Sequence, residues 1–412
     1  MNAIQESLAG RPMPETKRKP RVLVTGFGIV SPIGRGAVDN LTGLQEGRDG
    51  VRPVTAFDVS RTRCKTAGQV NDDWLEDVFS ASRRNRRLHR SSRMVAASLT
   101  EAISMAGRPN PELMVFATSA GAMSNGERFY RSVLTSKSRR SAAKWVANYM
   151  PQKPLLDSLE LLNLRLPVQI VSNACSSGTN SIGHAFNLIR DGLNSCVICG
   201  GYDPLSELVF AGFDALQAAT PEKIRPFDLH RTGLVLGEGS GVLILESEES
   251  ARKRKATAYA EICGYGISTD TYHLTQPNPS GVGPRLSMER ALQSSGMDPN
   301  SIDYVNAHGT ATLFNDATEG IAISQLLPGV PVSSTKSMMG HALGAAGAIE
   351  AVFCVLALQQ QFLPPNIHFE QPDPTWNFKV VANRSRPARI QTAISNSFGF
   401  GGTNASLVLR EV

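Results

Sequence analysis

The chain has 412 residues, of which 41% are hydrophobic and 19% are charged, and its formal net charge is +6. This length and composition are typical of a soluble globular protein, and no apolar stretch approaches the roughly 20 residues that a membrane-spanning helix needs. The modest charge, with no zinc-finger spacing and no basic stripe interleaved with aromatic residues, argues against a nucleic-acid-binding protein.

The first 20 residues predict a mobile leader ahead of the folded part. They read MNAIQESLAGRPMPETKRKP, a polar segment that contains proline and lacks the apolar core of a secretory signal. Without such a signal, the six cysteines of the chain are expected to be reduced thiols in the cytoplasm.

Short β-branched runs alternate with helical patterns along the rest of the chain. In one helical pattern Ile182, Ala185, Phe186 and Ile189 follow the i, i+3, i+4, i+7 spacing, and a second helix is expected over residues 343–359. Alternating strands and helices predict an α/β fold with helices on the sheet faces. We expect one compact double unit, since no Ser/Gly linker separates the halves. The predicted strands are residues 21–25, 114–117, 168–171, 196–199, 241–245, 258–263, 302–306, 332–334 and 406–409.

Cys196 and Cys199 have the spacing of a CxxC pair but lie in SCVICG, which predicts a strand. A separation of three places their side chains on opposite faces of that strand. We therefore expect two buried small apolar side chains, and neither a disulfide nor a shared metal site.

Residues 168–189, VQIVSNACSSGTNSIGHAFNLI, place a cysteine between a strand and an amphipathic helix. Cys175 is expected at the helix N-terminus, where the helix dipole and unpaired N–H groups stabilise a thiolate. Its small neighbours Ala174, Ser176 and Gly178 leave room for a substrate and let backbone N–H groups face a developing oxyanion. This segment alone leaves two interpretations open, a nucleophile or a structural cysteine.

Two histidines follow predicted strands, each beside a glycine. His308 follows DYVNA, and His341 follows PVSSTKSMMG, where it is expected to open a helix whose N-terminus keeps it neutral near pH 7. Strand ends are where α/β sheets place ligand sites. Lys336 is either an exposed charge or a buried one paired with a carboxylate such as Glu350. The remaining histidines, interpreted as structural or surface residues, are His89, His184, His230, His273 and His368.

Residues 396–404, NSFGFGGTN, predict a tight turn whose backbone approaches the site closely. A simple hairpin turn is the alternative. Phe398 and Phe400 argue against a solvated turn, because turn tips normally carry polar residues.

Four segments together resemble one enzyme family: ACSSG around Cys175, NAHGTAT around His308, SSTKSMMGHALGAAGAIE around His341, and NSFGFGGTN. In this order and spacing they resemble the elongating β-ketoacyl-acyl-carrier-protein synthases, synthase I/II type, of the thiolase superfamily. The resemblance implies the thiolase fold, in which two similar α/β halves form five α-β-α-β-α layers. Residues 21–253 would carry the nucleophile and residues 254–412 the two histidines.

The resemblance also implies roles for individual residues. Cys175 matches the acylated nucleophile, and His308 and His341 match the pair that binds the malonyl thioester carbonyl and promotes decarboxylation. Lys336 matches the lysine that organises the site. Phe400 matches a gating residue whose backbone N–H forms the oxyanion hole together with that of Cys175. Further substrate contacts are expected from Thr310, Thr312, Phe398 and Phe213.

The activity implied is decarboxylative Claisen condensation of an acyl chain, held on Cys175, with malonyl-acyl-carrier protein. It would serve fatty acid synthesis or related polyketide or polyene synthesis. The implied partners are acyl carrier protein and a second copy of the chain, with no nucleic acid and no membrane. The alternative is the catalytic half of a heterodimer with a chain-length-factor-like chain. No metal or redox cofactor is expected, because the substrates arrive on the phosphopantetheine of the carrier.

Residues 82–93, SRRNRRLHRSSR, form the densest charge in the chain, with six arginines in 12 residues. A solvated helix face is the usual interpretation of such a run. The resemblance implies an acidic carrier protein, which a basic surface would attract electrostatically. We therefore expect carrier docking on Arg83, Arg84, Arg86 and Arg87.

Other interpretations fail on particular residues. Gly26 and Gly28 follow a strand, but Ser31 stands where a dinucleotide fingerprint needs its third glycine. A degradative thiolase would need a second cysteine in the C-terminal glycine loop. A starter-condensing synthase would need asparagine in place of His341, and a chain-length factor would lack Cys175.

The chain departs from the family pattern after HGTAT. Leu313, Phe314 and Asn315 stand where proline and glycine are usual, although Asp316 and Glu319 are kept. A second departure is TSAGAMSNGERF, which replaces a glycine-rich stretch after the strand at residues 114–117. We expect these changes to alter the pantetheine entrance and the acyl pocket, and to leave the reacting residues intact.

Overall fold

The structure is a computed structural model that describes residues 19–76, 88–135 and 143–412. Of the expected leader, residues 1–18 lie outside the described residues, and the last two are exposed. Arg83, Arg84, Arg86 and Arg87, the expected docking residues, also lie outside the described residues.

Within the described ranges the chain forms 16 strands and 13 α-helices, and all nine predicted strands coincide with observed ones. The strands are β1 (Val22–Ser31), β2 (Gly34–Arg35), β3 (Val51–Pro53), β4 (Thr66–Gly68), β5 (Leu113–Ala117), β6 (Val168–Val171), β7 (Cys196–Asp203), β8 (Gly239–Ser247), β9 (Ala260–Thr269), β10 (Tyr304–Asn306), β11 (Pro331–Ser333), β12 (Phe362–Leu363), β13 (Lys379–Val380), β14 (Arg386–Pro387), β15 (Thr392–Gly399) and β16 (Thr403–Arg410). The helices are α1 (Gly36–Glu46), α2 (Asp72–Glu76), α3 (Arg90–Ala106), α4 (Met123–Thr135), α5 (Ala143–Ala147), α6 (Lys153–Leu161), α7 (Ser177–Arg190), α8 (Glu207–Ala215), α9 (Glu248–Lys253), α10 (Val282–Ser295), α11 (Leu313–Leu326), α12 (Lys336–Met339) and α13 (Ala346–Gln360). Short 3₁₀ helices cover Pro299–Ser301 and Leu343–Ala345.

The large sheet consists of two sets of five strands with the same internal order. On one side of its centre the order is β1-β8-β7-β5-β6, and on the other it is β9-β16-β15-β10-β11, with β13 at the edge. In both sets the first two pairings are antiparallel and the last two are parallel. The sets meet where Val22–Val24 pairs with Ala260–Ile262. The predicted fold of two similar α/β halves is confirmed, while the boundary at residues 253 and 254 stays a prediction.

Helices complete the layers on both sides of each set of strands. α3 packs on β1 and β8, α10 packs on β9 and β16, and α7 and α13 lie between the two sets. One helical stretch in the described part, Leu343–Gln360, is long and apolar enough to cross a membrane, and 89% of it is buried inside the protein. The expectation that no apolar stretch approaches that length was therefore wrong. Apart from Glu350 and its last two residues, the stretch is apolar on every side, as expected for a helix that packs in the central layer between the two sets of strands.

Gly26 and Gly28 lie inside β1, where they let α3 approach the strand. A Cβ on Gly26 would lie 2.4 Å from the carbonyl oxygen of Ala102, and one on Gly28 would lie 2.0 Å from that of Ser98. The two glycines therefore serve helix-to-strand packing, and they do not form a phosphate-binding turn. β1 continues through both glycines to Ser31, whereas the sequence pattern ended the predicted strand at Thr25.

Cys196 and Cys199 are both buried free thiols in β7. Cys196 packs in the cluster under α3, and Cys199 packs in the central cluster on the other face of the sheet. The prediction of two separate buried side chains is confirmed.

Candidate active site

Cys175 lies between the end of β6 and the start of α7 at Ser177, as the sequence predicted. Ala174, just before it, has a φ of 57°, in the left-handed region that costs a non-glycine residue strain. The carbonyl of Ala174 is held by the Ser177 backbone N–H at 3.1 Å and by the Ser119 hydroxyl at 3.2 Å. This sharp turn presents Cys175, which is 8% exposed, at the start of the helix.

The charge expected on Cys175 is not what the structure supports. Burial raises the pKa of the Cys175 thiol to about 12, and the nearby charge of Asp203 raises it further, while the charge of Lys336 lowers it. The predicted thiolate stabilisation at the helix N-terminus was therefore wrong for this state of the site. Desolvation of the buried sulfur is the largest effect on this pKa and favours the thiol form of Cys175 at neutral pH.

His308 follows β10 and is fixed by a carboxylate on α11. Its backbone N–H donates to Glu319 Oε1 at 2.9 Å, and the Gly309 N–H donates to Glu319 Oε2 at 2.8 Å. The Asn396 amide, from the NSFGF segment, also donates to Glu319 Oε1 at 3.2 Å. Glu319 therefore sets the backbone of the His308 turn and ties it to β15.

His341 does not open a helix as predicted. It lies after α12 and before the 3₁₀ helix, where its backbone N–H donates to the Val235 carbonyl at 2.7 Å and its carbonyl accepts from the Gly237 N–H at 2.9 Å. The expected neutral state holds for a different reason. Burial lowers the pKa of the His341 ring well below 6.5, and the charge of Lys336 lowers it further.

The two imidazole rings have free hydrogen-bonding nitrogens. Among the described residues, no partner contacts Nδ1 of His308 or either ring nitrogen of His341. Burial also lowers the pKa of His308 well below its usual value, so both rings are neutral at pH 7. Unsatisfied polar atoms at buried positions are costly, and they are expected where a substrate supplies the missing partner.

Of the two states expected for Lys336, an exposed charge or a buried charge paired with a carboxylate, the structure shows the second. It is fully buried at the start of α12, and its Nζ lies 2.5 Å from Oε1 of Glu350 on α13, which is also fully buried. Burial raises the pKa of Glu350 to about 7, against the lowering effect of Lys336. The positive charge of Lys336 acts beside burial, the larger effect, in lowering the pKa of both histidines.

The structure brings the predicted residues together around one cavity of about 240 Å³. Cys175, His308 and His341 line it, while Lys336 lies behind the histidines and does not. The Phe398 ring lies against that of His308, with centroids 5.7 Å apart. The lining also includes Thr310 and Thr312, whose hydroxyls are 2.9 Å apart, as well as Phe213 and Phe400.

Phe400 stands at the tip of the hairpin between β15 and β16. It is 38% exposed, and its ring stacks on Phe213 with centroids 5.7 Å apart. The turn is therefore the simple hairpin of the two alternatives, and its tip at Phe400 and Gly401 is exposed, against the expectation of an unsolvated turn. The turn needs Gly401 and Gly402, whose φ angles are 81° and 77°. A Cβ on the preceding Gly399 would lie 3.1 Å from the Cys175 backbone nitrogen, so this loop lies against the nucleophile.

Residues 270–277 form part of the cavity wall, which the sequence did not indicate. The Gly401 N–H donates to the Leu274 carbonyl at 2.7 Å, and the Asp270 N–H donates to the Gly402 carbonyl at 2.6 Å. His273, interpreted from sequence as a structural or surface residue, is exposed at this wall. In the sequence, only the presence of Tyr272, His273 and Pro277 after the strand distinguishes this segment, which lies between β9 and α10.

The departure at residues 313–315 lies at the cavity mouth. Leu313 and Phe314, at the start of α11, line the cavity and are 58% and 56% exposed. Asn315 donates to Asp316 Oδ1 at 3.1 Å. The change therefore alters the lining of the same cavity, and Cys175, His308 and His341 still line it together.

Arg90, an arginine of the basic segment, lies in the described part of the chain and contacts two carboxylates of the protein itself. Arg90 lies at the start of α3 and forms an ion pair with Glu238, which is fully buried, at 2.6 Å. Arg90 is not one of the four residues expected to dock the carrier, so its ion pair leaves that prediction untested. Within residues 19–76, 88–135 and 143–412, no group of three His, Cys, Asp or Glu side chains could hold a metal ion.

Two family models match the chain: beta-ketoacyl synthase, N-terminal domain, over residues 19–251, and beta-ketoacyl synthase, C-terminal domain, over residues 259–370. A 3-oxoacyl-[acyl-carrier-protein] synthase 2 from Synechocystis is 38% identical over 412 residues, covering 95% of this chain and 98% of the relative. The structure of the ishigamide ketosynthase/chain length factor is similar with a TM-score of 0.88 and 33% identity, over 96% of this chain and 100% of that one. A type II PKS acyl-carrier protein in complex with its ketosynthase has a TM-score of 0.86 and 28% identity, over 96% and 100%.

Proposed function

Because the chain belongs to the β-ketoacyl synthase family, we propose that it condenses an acyl group held on Cys175 with malonyl-acyl-carrier protein. One observation carries this proposal: Cys175, His308 and His341 line a single cavity although they come from separate parts of the chain. The product is a β-ketoacyl carrier two carbons longer than the acyl group, and CO₂ is released.

In the first step, the Cys175 sulfur attacks the thioester carbonyl of the acyl carrier. A sulfur–carbon bond forms, the bond to the carrier sulfur breaks, and the carrier thiol takes the proton that Cys175 loses. Since burial favours the thiol form of Cys175, the proton leaves as the bond forms and no standing thiolate is needed. The positive charge of Lys336 favours that loss.

In the second step, the malonyl thioester loses CO₂ and becomes a thioester enolate. His308 and His341 are neutral, so each ring can donate one N–H to the thioester oxygen where the charge develops. Their unpartnered nitrogens leave those donors available. A protonated pair would bind the malonyl carboxylate tightly and so disfavour the loss of CO₂, which a neutral pair does not.

In the third step, the enolate carbon attacks the acyl thioester on Cys175. A carbon–carbon bond forms, the Cys175 sulfur leaves as thiolate and takes a proton from water, and the β-ketoacyl carrier departs. We assign the oxyanion hole to the backbone N–H groups of Cys175 and Phe400, a pairing supported by the close approach of Gly399 to Cys175. All three steps balance without a redox cofactor, so we propose that the enzyme uses none.

We propose a cytoplasmic enzyme that works with acyl carrier protein and with a second synthase-like chain. β6 ends the strand order on its side of the sheet, and its VQIV side chains are mostly half-exposed. An unprotected apolar edge strand is a ready pairing site for another chain. A homodimer is the first candidate. The similarity to a ketosynthase/chain length factor structure favours a heterodimer as the second.

The experiment that tests the proposed function is acyl transfer to purified protein, followed by intact-mass measurement. The native chain should gain one acyl group from an acyl carrier and should release CO₂ and β-ketoacyl product when malonyl carrier is added. Cys175→Ala should gain no acyl group and form no product. Cys263→Ala, at a half-buried thiol of β9 outside the cavity, should behave as the native chain does. Product formation by Cys175→Ala would refute the proposal.

A further inference from the structure

We propose that Asp203 is a positioning residue that holds the Cys175 turn and the His341 segment in their relative places, an inference that rests on the function proposed above. Asp203 ends β7 and is fully buried. It does not line the cavity, so it acts on the reaction only through other residues.

One side of the Asp203 carboxylate is held by the loop after β5. Oδ1 accepts from the Thr118 hydroxyl at 2.6 Å and from the Ala120 N–H at 2.7 Å. The Ser119 N–H lies 3.0 Å from both carboxylate oxygens, and the Gly121 N–H lies 3.3 Å from Oδ1. Three successive backbone N–H groups therefore converge on one carboxylate, which only an ionised side chain with several lone pairs can satisfy.

A hydrogen bond links this loop to the turn that carries Cys175. The Ser119 hydroxyl donates to the Ala174 carbonyl at 3.2 Å. Ala174 is the residue with a φ of 57°, and its strained conformation is what turns Cys175 toward the cavity. Because strained backbone persists only when its surroundings hold it, Ser119 and Asp203 help to maintain the turn.

The other side of the carboxylate holds the segment that carries His341. Oδ2 accepts from the Gly344 N–H at 2.7 Å, across 141 residues of sequence. Gly344 lies in the 3₁₀ helix three residues after His341, and a Cβ there would lie 2.8 Å from the Ser119 backbone nitrogen and 2.9 Å from Asp203 Oδ2. The tight fit leaves the His341 segment little freedom to shift while the carboxylate is in place.

Asp203 and Glu319 therefore have the same part in the site, since each carboxylate holds the backbone of a segment that carries one of the two histidines. Glu319 fixes the His308 turn through two backbone N–H groups, and Asp203 fixes the His341 segment through Gly344. Asp203 alone of the two also reaches the Cys175 side, through Ser119. Its loss should consequently impair both half-reactions of the cycle.

The test measures the half-reactions separately in Asp203→Asn. The amide keeps the shape but cannot accept on both sides. We expect acylation of Cys175 and CO₂ release from malonyl carrier without an acyl donor both to slow by about 10- to 100-fold, the order that small misplacement of reacting groups costs. The KM values should change much less than the rate constants, because Asp203 does not contact the cavity.

Ser119→Ala separates positioning from general stability. It removes only the link from the Asp203 loop to Ala174, so we expect slower acylation of Cys175 with CO₂ release at the native rate. Glu101→Gln is the matched control, since that carboxylate also accepts two backbone N–H groups, from Ile29 and Ala37, away from the cavity. It should leave both half-reactions unchanged, whatever stability it costs.

Each possible result either supports or overturns the proposal. Native rates in folded Asp203→Asn, or equal slowing of both half-reactions in Ser119→Ala, overturn the proposal. If Asp203→Asn does not fold, Ser119→Ala decides alone, and unchanged acylation overturns the proposal. Failure of the proposed function looks different, because the native chain itself would then neither acylate Cys175 nor release CO₂.

Discussion

The rings of His308 and His341 lie edge to face, with centroids 5.3 Å apart and planes at 87° to each other. This arrangement lets two neutral rings direct N–H groups toward one region of the cavity from different directions. A single thioester oxygen can accept two hydrogen bonds in this way. The relationship leads directly to the first prediction.

We predict that His308→Ala and His341→Ala each lower the rate of malonyl decarboxylation by about 10²–10³-fold, the usual effect of losing one oxyanion-stabilising donor. Acylation of Cys175 should fall much less, because that step does not pass through the enolate. CO₂ release and intact mass measure the two steps. His230→Ala, at an exposed histidine bonded to Gln371, is the control and should change neither. Native decarboxylation in both variants would remove the role assigned to the rings.

The raised pKa of Cys175, about 12, predicts a particular pH dependence of its alkylation. A thiol becomes reactive as thiolate, so below the pKa its reactive fraction rises about tenfold per pH unit. The iodoacetamide rate at Cys175 should therefore rise about tenfold from pH 8 to pH 9, whereas that of an ordinary thiol of pKa about 8.5 rises only about threefold over the same interval. Lys336→Met should slow it further, since the lysine charge lowers this pKa. A plateau below pH 9 would contradict the prediction.

Lys336 and Glu350 predict a separation of stability from activity. Lys336→Met leaves Glu350 buried without its partner, and we expect a loss of about 3 kcal/mol in unfolding free energy, the lower end for a broken buried pair. The lower end applies because Glu350, with a pKa raised to about 7, can neutralise by taking a proton. Urea unfolding measures the loss.

The double variant Lys336→Met/Glu350→Met is the companion to that measurement. It replaces both charges with apolar groups, so it should be more stable than the single variant. Its condensation rate should stay low, because the Lys336 charge, which acts beside burial in lowering the pKa of both histidines, is gone. A double variant with native activity would show that the charge itself has no part in the reaction.

Phe400 and Phe213 predict a coupled gate at the cavity. Phe400→Ala should broaden or shift the accepted acyl lengths, because a 38% exposed ring leaves the wall that it forms with Phe213. A double-mutant cycle with Phe213→Ala should give a coupling of about 0.5–1.5 kcal/mol in stability, typical of an aromatic pair. Phe210→Ala is the control, since that ring packs on Phe57 in the core and should change stability without changing selectivity. Unchanged selectivity in Phe400→Ala would refute the gate.

The basic segment predicts a salt-sensitive partner surface. Reversing the charge of Arg83, Arg84, Arg86 and Arg87 together should raise the KM for acyl carrier protein and flatten its salt dependence. Acylation by a small thioester should be retained, because it needs no docking. These four residues lie outside the described part of the chain, so their contacts stay a prediction.

The control for that variant reverses Arg384, Arg386 and Arg389, which are exposed on the other half. It changes net charge by a similar amount at a site with no predicted role. Equal effects of the two variants on carrier KM would mean that overall charge, and not this segment, attracts the carrier.

The sequence alone indicated the candidate residues that the structure brings to one cavity. Their proposed roles came from the resemblance of four motifs to one enzyme family. Cys175, His308 and His341 stood out because each lies in a local pattern, a strand followed by small residues, that is readable within about 15 residues. The nine strands were predicted for the same reason, since side-chain period and turn residues are local properties. The predicted end of β1 was too early, because Gly26 and Gly28 belong to the strand and their role depends on α3, some 70 residues away in the sequence.

The tertiary structure decided the protonation states and the partners of the residues at the site. The sequence placed Cys175 at a helix start and predicted a thiolate, whereas burial raises the pKa of this thiol and favours its neutral form. It left Lys336 either exposed or paired, and folding of α12 against α13 settled the pairing. It gave no sign of Asp203, whose partner Gly344 is 141 residues away. Charge state and position depend on what surrounds a group in space, and parallel strands bring together residues that no local pattern connects.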